Sequence, residues 1–249
     1  MASDFKDHFS GFSSDYHSYR PRYPDALFSW LASICTRHER AWDCATGTGQ
    51  AAIGLVDHFA EIVATDASET QIANAERREG VRFLQASAEE SGIETGSVDL
   101  VTVAQAIHWF DPELFCIEVD RVLRKGGVIA AWSYGLLRIT PEIEGVVNHL
   151  YGPILDRFWP PERKLIEEGY RDIEFPYKKI DAPEFSMTSS WNLADLTGYL
   201  NTWSAVKRYI QQRKNNPVEL VFDDLSAAWG EPEKTYQVGW PMTVLAWRK

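Results

Sequence analysis

A short stretch near residue 45 limits the folds that are open to this chain. Residues 41–50 read AWDCATGTGQ, in which apolar residues lead into Asp43 and a small-residue loop with two glycines follows. The next run, AAIGLV, is typical of the start of a helix. Because glycine has no Cβ and tolerates positive φ, a strand, a glycine turn and a helix let the backbone approach a nucleotide-like ligand closely. The stretch therefore predicts a ligand-binding loop in an α/β fold.

The chain alternates between strand and helix patterns as far as residue 132. Besides the run that leads into Asp43, apolar runs predict strands at residues 61–66, 81–85, 97–104 and 128–132. This alternation favours right-handed crossovers and a doubly wound, Rossmann-like sheet that is mostly parallel. From Ser133 the pattern becomes mainly helical, and an apolar run near residues 236–247 predicts a last, antiparallel strand.

Several helix boundaries can be predicted from capping residues. Asp25 is a favourable N-cap, and residues 68–71 (SETQ) form a capping-box pattern for a helix that runs to residue 79. Asp111–Pro112 is typical of an N-cap followed by the first helical residue, and we expect Gly126 to end that helix. In the second half, helical patterns cover residues 141–159, 160–170, 192–213 and 217–229.

Charge and cysteine content exclude several kinds of partner. Lys and Arg total 25 against 36 Asp and Glu, a formal net charge of −11, which argues against nucleic acid because phosphate binding needs a basic surface. The three cysteines show no metal-ligand spacing, so we expect no metal and a reducing, cytoplasmic environment. The N-terminal residues show no signal-peptide pattern, and no apolar run approaches the roughly 20 residues that span a bilayer.

Polar and small residues follow the predicted strands at the same end. Asp66 closes the second strand and lies 17 positions after Gly49, close to the roughly 20 expected between a glycine fingerprint and a ribose-binding acid. A carboxylate there can accept hydrogen bonds from both ribose hydroxyls. Ser87–Ala88 and Ala104–Gln105 follow the third and fourth strands. Since the carboxyl ends of parallel strands meet at one edge, we expect these residues to line one ligand site.

With these residues in view, the chain resembles the class I S-adenosylmethionine-dependent methyltransferases over roughly residues 40–132 and the last strand. Within them it is similar to the trans-aconitate methyltransferase-like group of small-molecule enzymes, on the segments YRPRYP (19–24), AIHWF (106–110) and LNTWSA (200–205). The resemblance implies a single methyltransferase domain, divided into an N-terminal arm (1–24), a cofactor-binding core (25–132), a helical cap and insertion (133–235) and a terminal strand (236–249).

The resemblance also implies S-adenosyl-L-methionine as the cofactor and a role for each motif. The loop surrounds the methionine part, Asp66 holds the ribose, the residues after strand three meet the adenine, and the N-terminal arm closes over the carboxylate end. The implied cofactor-binding residues are Tyr19, Arg20, Asp43, Ala45, Thr46, Gly47, Gly49, Asp66, Ala67, Ser87, Ala88, Ala104 and Gln105.

Two positions depart from the family pattern. Ala45 stands where the family more often has glycine, which we expect to be tolerated only if Ala45 keeps a negative φ. Ser87 replaces the more usual aspartate near the adenine amino group, so we expect a weaker hydrogen bond there.

Two other functions fit parts of the same pattern. The spacing of Gly47, Gly49 and Ala52 also matches the dinucleotide fingerprint, so a nicotinamide-dependent oxidoreductase is one alternative. A catalytically silent cofactor-binding protein on the same fold is another. Three features favour a sulfonium cofactor: the position of Asp43 directly before the loop, the late extra strand, and the aromatic N-terminal arm. The arm matters because aromatic faces stabilise a sulfonium much as they stabilise an ammonium group.

The predicted reaction is methyl transfer by in-line displacement to a small-molecule acceptor, of which a carboxylate is one candidate. A carboxylate acceptor needs no general base, whereas a hydroxyl or amine acceptor can need one, and His108 is the candidate base. The alternative for His108 is packing against Trp109 as part of the pocket wall. The candidate substrate-pocket residues are Trp109, Tyr199 and Trp203, and the candidate anchors for an anionic acceptor are Arg138, Lys207 and Arg208.

Overall fold

An eight-stranded sheet organises the structure, which is a computed structural model that describes residues 21–249. Tyr19 and Arg20, which were predicted to bind the cofactor, lie outside the described residues. The strands are β1 (Arg40–Cys44), β2 (Glu61–Asp66), β3 (Val81–Gln85), β4 (Val98–Ala104), β5 (Leu123–Tyr134), β6 (Lys178–Ile180), β7 (Phe185–Trp191) and β8 (Tyr236–Arg248). Their order is β3-β2-β1-β4-β5-β8-β6, with β7 paired to β8 beyond that path.

Helices connect the strands and outnumber strands between residues 135 and 235. The α-helices are α1 (Asp25–Ser33), α2 (Gln50–Gly54), α3 (Glu69–Ala73), α4 (Pro112–Val122), α5 (Pro141–His149), α6 (Arg163–Glu167), α7 (Leu193–Asn201), α8 (Ser204–Arg213) and α9 (Phe222–Trp229). Single π or 3₁₀ turns lie at Ile107–Trp109, Leu150–Ile154, Asp156–Phe158 and Glu219–Val221. No helix of the described chain is long and apolar enough to cross a membrane.

Strands β1 to β5 are parallel, and the chain enters the sheet at its centre. From β1 it proceeds outward to β2 and β3, and then returns to β4 on the other side of β1. Strand β4 is buried along almost its whole length, as expected for a parallel strand covered on both faces. The reversal of strand order between β1 and β4 opens a crevice at the carboxyl ends of these strands, where doubly wound sheets bind ligands.

Strand β8 confirms the predicted antiparallel last strand and joins the two halves of the chain. Its C-terminal part pairs with β5 and β6, and its N-terminal part pairs with β7. Strands β6 and β7 were not predicted, and they lie within the segment expected to be a helical cap. The predicted cap began at residue 133, but β5 extends to Tyr134, so we call residues 135–235 the cap, and it contains two strands besides its helices.

The structure confirms some predicted helix boundaries and corrects others. Asp111 caps α4, since its Oδ1 accepts hydrogen bonds from the N–H groups of Glu113 and Leu114 at 3.1 and 3.0 Å. Helix α4 nevertheless ends at Val122, ahead of Gly126, because β5 already begins at Leu123.

Three other predicted helices differ from the observed ones. Pro24, not Asp25, occupies the N-cap of α1. Ser68 caps α3 as predicted, but this helix ends at Ala73 instead of continuing to residue 79. The helix predicted over residues 192–213 is divided into α7 and α8, because the chain turns at Trp203, whose ψ of 134° is extended.

Three groups of buried side chains fill the interior. One lies between the sheet and helices α1 and α2, and a second lies on the opposite face beneath α4. The third lies inside the cap and includes Trp191, Trp229 and Trp240, which pack around β7 and β8. The cap thus has its own apolar interior.

Candidate active site

A cleft of about 1290 Å³ lies at the carboxyl ends of β1 to β4, between the sheet and the cap. Ligand pockets in proteins usually measure roughly 300–1,000 Å³, so this cleft has room for two ligands side by side. Most of the residues predicted for a ligand site line it: Ala45, Thr46, Gly47, Asp66, Ala67, Ser87, Ala88, Ala104, Gln105, His108, Trp109, Tyr199 and Trp203. Asp43 and Gly49 do not belong to its lining.

The loop between β1 and α2 has an unusual backbone at three positions. Gly47 and Gly49 have φ values of 58° and 95°, which glycine adopts without strain. A Cβ at Gly49 would lie 2.8 Å from the ring of Phe83, so this position also requires the absence of a side chain. Ala45 has a φ of 53°, contrary to the negative φ expected for it. Ala45 thus adopts the left-handed conformation that favours glycine.

Asp43 lies beneath the loop and holds it in place. Its side chain is fully buried, and its two carboxylate oxygens accept hydrogen bonds from Thr46 Oγ1 at 2.5 Å and Thr102 Oγ1 at 2.8 Å. Burial raises the pKa of Asp43 to about 6, although these hydroxyls and the N–H of Ala52 partly oppose the shift. Asp43 therefore contacts the loop and β4 and does not line the cleft itself.

Asp66, unlike Asp43, lines the cleft at the end of β2. Its Oδ2 accepts a hydrogen bond from the N–H of Gly47 at 2.8 Å, and its Oδ1 accepts one from the N–H of Ser68 at 2.9 Å. Each carboxylate oxygen can accept more than one hydrogen bond. Asp66 therefore both fixes the end of the glycine loop and presents acceptors suited to a pair of hydroxyl groups.

Small side chains form the neighbouring wall at the ends of β3 and β4. Ser87 and Ala88 lie after β3, and the Oγ of Ser87 accepts a hydrogen bond from the N–H of Glu90 at 3.0 Å. Gln105, after β4, has a φ of 57°, and its Nε2 lies 3.4 Å from the carbonyl oxygen of Tyr134. This wall exposes backbone and short side chains, against which a flat ring can lie.

His108 lies on the cleft wall between the strand ends and the cap. Its Nδ1 lies 2.9 Å from the hydroxyl of Tyr170, and its ring centroid lies 4.7 Å from that of Trp109. Burial, assisted by the positive charge of Arg163, lowers the pKa of His108 to about 4. His108 is therefore neutral at pH 7 and is a weaker base than an ordinary histidine, whose pKa lies near 6.5.

The cap side of the cleft is aromatic. Trp203 lies at the turn between α7 and α8, with its ring centroid 6.0 Å from that of Tyr199 and 5.5 Å from that of Trp159. Tyr151 packs against Trp159, with a distance of 4.8 Å between the two ring centroids. The break between α7 and α8, which the sequence pattern did not predict, is what brings Trp203 to the cleft.

Arg163 gives the cap wall a positive charge that no sequence motif predicted. Arg163 lines the cleft, whereas the proposed anchors Arg138, Lys207 and Arg208 do not. Arg138 is 67% exposed and pairs with Glu144 at 2.9 Å. No sequence motif distinguishes Arg163 from other arginines on helices, so only the folded structure reveals its position.

The fold and the cleft define a class of protein, namely a Rossmann-like α/β protein with a nucleotide-type site at the carboxyl ends of its strands. Comparisons with known proteins give the family. A family model described as a methyltransferase domain matches residues 42–131. A candidate methyltransferase of Dictyostelium discoideum is 33% identical over 252 residues, which cover 98% of this chain and 96% of that protein.

Two further comparisons agree with this assignment. The solved structure of a candidate type II methyltransferase from Anaeromyxobacter dehalogenans is 43% identical, covers 92% of this chain and 98% of that chain, and has a TM-score of 0.87. A candidate S-adenosylmethionine-dependent methyltransferase of Saccharomyces cerevisiae is 31% identical over 131 residues, which cover 49% of this chain and 45% of that protein. The chain belongs to the class I S-adenosylmethionine-dependent methyltransferases.

The donor set of the cleft fits the cofactor of this family. The carboxylate oxygens of Asp66 can accept hydrogen bonds from hydroxyl groups, and the residues after β3 offer a flat wall. The loop at Ala45–Gly47 offers a backbone without large side chains. Within residues 21–249, no group of His, Cys, Asp or Glu side chains is arranged to hold a metal ion.

Proposed function

We propose that this methyltransferase transfers the methyl group of S-adenosyl-L-methionine to a small-molecule acceptor, and that the methylated group is a carboxylate. The observation that carries the proposal is a cleft with two different walls. The strand-end wall offers Asp66 and exposed backbone, whereas the cap wall offers aromatic rings. A volume of about 1290 Å³ leaves room for an acceptor beside the cofactor.

The strand-end residues are assigned to the cofactor. In this proposal Asp66 accepts hydrogen bonds from the ribose hydroxyls, with Ala67 beside it, and Ser87–Ala88 lies against the adenine. The backbone of Ala45, Thr46 and Gly47 and the residues Ala104–Gln105 lie along the methionine part and the sulfonium. When bound, the cofactor supplies a methyl group that is already activated by the positive sulfur, so the protein's contribution is mainly positioning and desolvation.

The supporting residues Asp43 and Gly49 keep a role in cofactor binding, but an indirect one. Asp43 fixes the loop through Thr46, and Gly49 permits the close contact between the loop and Phe83. Their substitution is expected to weaken cofactor binding through displacement of the loop.

Trp109 and the cap residues Tyr199 and Trp203 are assigned to the acceptor. Trp109, Tyr199 and Trp203 line the cleft and can exclude water from the point where the acceptor meets the methyl group. A carboxylate acceptor agrees with the chemistry of His108, because its lowered pKa makes it a weak base and a carboxylate has no proton to remove. The closer likeness to the trans-aconitate methyltransferase-like group points to the same substrate class. We further propose that the protein works in the cytoplasm, which agrees with its unpaired Cys35, Cys44 and Cys116.

Calorimetric titration and an acceptor screen test the proposal. The protein should bind S-adenosylmethionine in preference to NADH, and it should produce S-adenosylhomocysteine when trans-aconitate or other small carboxylates are added. Preference for NADH would instead support an oxidoreductase. Cofactor binding without turnover on any acceptor of a broad panel would contradict the enzymatic proposal and support a silent binding protein.

The substitution Asp66→Ala tests the assignment of the ribose site. Loss of hydrogen bonds to a charged acceptor costs about 1–3 kcal/mol, so the affinity for S-adenosylmethionine should fall by roughly 10- to 100-fold. Asp172→Ala is the matched control, since Asp172 is 72% exposed and lies outside the cleft lining. Unchanged affinity in Asp66→Ala would remove Asp66 from the site.

A further inference from the structure

Arg163 is held by two aromatic rings at the cap wall of the cleft. Its Nε donates a hydrogen bond to the hydroxyl of Tyr151 at 2.8 Å. Its guanidinium carbon lies 5.4 Å from the ring centroid of Tyr151 and 5.1 Å from that of Trp159. These contacts hold the guanidinium group at the wall, and the hydrogen bond uses one of its five N–H donors.

The remaining donors of Arg163 have no carboxylate partner in the described part of the chain. Glu167 accepts a hydrogen bond from the Tyr151 hydroxyl, and Glu162 lines the same wall, yet neither forms an ion pair with Arg163 among residues 21–249. This is unexpected in a chain that carries 36 acidic residues against 25 basic ones. Arginine stacks on aromatic faces and presents a fork of donors that matches a carboxylate, so the remaining donors of Arg163 suit an external anion.

The surroundings of Arg163 define the rest of such a site. His108 and Arg163 both line the cleft, and the positive charge of Arg163 contributes to the lowered pKa of His108. Trp159 and Trp203 provide apolar surface next to the charge. An anion with an adjoining apolar part therefore matches both the charge and the surface of this wall.

We propose that Arg163 binds a carboxylate of the methyl acceptor through its two terminal nitrogens, and that this contact selects carboxylate-bearing small molecules. The inference rests on the proposed function and adds to it the residue that recognises the acceptor. Tyr151 and Trp159 are positioning residues, because they act through the orientation of Arg163. A flat, bidentate contact of this kind suits arginine and not lysine.

The test uses charged and neutral probes of nearly the same shape. Benzoate is compared with benzamide, and fumarate with fumaramide, by calorimetric titration of the full-length protein with and without S-adenosylhomocysteine. We expect the charged member of at least one pair to bind at least tenfold more tightly than the neutral one. Arg163→Gln should remove this preference without a change in S-adenosylhomocysteine affinity, and Arg163→Lys should retain only part of it.

Arg171→Gln is the matched control. Arg171 belongs to the same segment, is 71% exposed, and pairs with Glu168 and Asp172 outside the cleft lining. If Arg163→Gln does not fold, Tyr151→Phe replaces it, since loss of the hydroxyl should weaken binding of the charged probe several-fold.

The possible results separate the two proposals. If the wild-type protein shows no preference for charged probes, or if Arg163→Gln retains it, the assignment of Arg163 is wrong. If S-adenosylhomocysteine does not bind, the proposed function fails, and the titrations without cofactor still decide whether Arg163 is an anion site. If the preference for charged probes is lost in Arg163→Gln and kept in Arg171→Gln, while both variants bind S-adenosylhomocysteine like the wild type, the result supports both proposals.

Discussion

Ala45 has a backbone conformation that alanine rarely adopts. Its φ is 53°, in the left-handed region, where an L-residue pays roughly 1–2 kcal/mol relative to the right-handed region. Glycine avoids this cost but loses about 0.5–1 kcal/mol more conformational entropy on folding. Ala45→Gly should therefore increase the free energy of unfolding by about 0.5–1 kcal/mol, as measured by urea denaturation.

A second alanine provides the control for this substitution. Ala227 lies in α9, where glycine should decrease the free energy of unfolding by about 1 kcal/mol. Opposite signs for Ala45→Gly and Ala227→Gly would show that the backbone conformation at residue 45 is strained. A destabilising effect at both positions would contradict this account.

Asp43 should make the stability of the protein depend on pH. Its pKa rises from 3.8 to about 6 on folding, so the native state binds a proton more tightly than the unfolded state. The stabilisation from this proton is present at low pH and is lost as pH rises through 6. When the pH is lowered from 7 to 5, the free energy of unfolding of the wild type minus that of Asp43→Asn should increase by about 1 kcal/mol.

Urea denaturation at pH 5, 6 and 7 measures this difference. Asp172→Asn, which removes an exposed carboxylate, controls for the loss of a negative charge. A difference between wild type and Asp43→Asn that stays constant over this range would mean that Asp43 is already ionised at pH 5 in the native state.

Residues at the strand ends could be predicted from the sequence, whereas their exact contacts could not. Asp66 follows a buried strand at the expected distance from the glycine loop, and local pattern is sufficient to place it. The sign of φ at Ala45 depends on how the loop meets β2, where the N–H of Thr46 donates to the carbonyl of Thr65 at 2.9 Å, and no local pattern contains this contact. The position of Arg163 depends on Tyr151 and Trp159, which come together only in the folded cap.

At the scale of elements, the best-predicted helix is α4, which has a strong capping signal. Asp111 accepts two backbone hydrogen bonds at its start, so Asp111→Ala should decrease the free energy of unfolding by about 0.5–2 kcal/mol. Asp111→Ser should recover most of this loss, because serine also caps helices well. Thermal denaturation of the three proteins checks the order, and equal stability of the Ala and Ser variants would contradict a capping role.

Elements of the cap were harder to predict because their form depends on distant partners. Strand β7 alternates between exposed and less exposed residues, but Ser189 interrupts the apolar side of this alternation, and the strand is defined by its pairing with β8, about fifty residues later. The turn between α7 and α8 is held by Thr202, whose Oγ1 donates to the carbonyl of Tyr199 at 2.7 Å. The apolar stripe continues through this turn, so the stripe alone predicts one long helix.

At the scale of the whole molecule, β8 connects the cofactor half with the cap. One strand of 13 residues pairs with β5 on the core side and with β7 on the cap side. Trp247 at one end is buried among core residues, and Trp240 is buried within the cap. Neither half can lose its strand pairing without exposing part of β8, which is the physical reason to expect one domain.

This arrangement predicts a single unfolding transition. Circular dichroism and tryptophan fluorescence should give the same midpoint, since tryptophans lie in both halves. S-adenosylhomocysteine at 100 times its dissociation constant should stabilise the native state by about 2.7 kcal/mol and raise both midpoints together, by roughly 5–10 °C. NAD at the same concentration is the control and should change neither. Two separate transitions, with S-adenosylhomocysteine shifting only one of them, would show that the cap unfolds independently. In that case β8 would have to detach from β7 while it stays paired with β5.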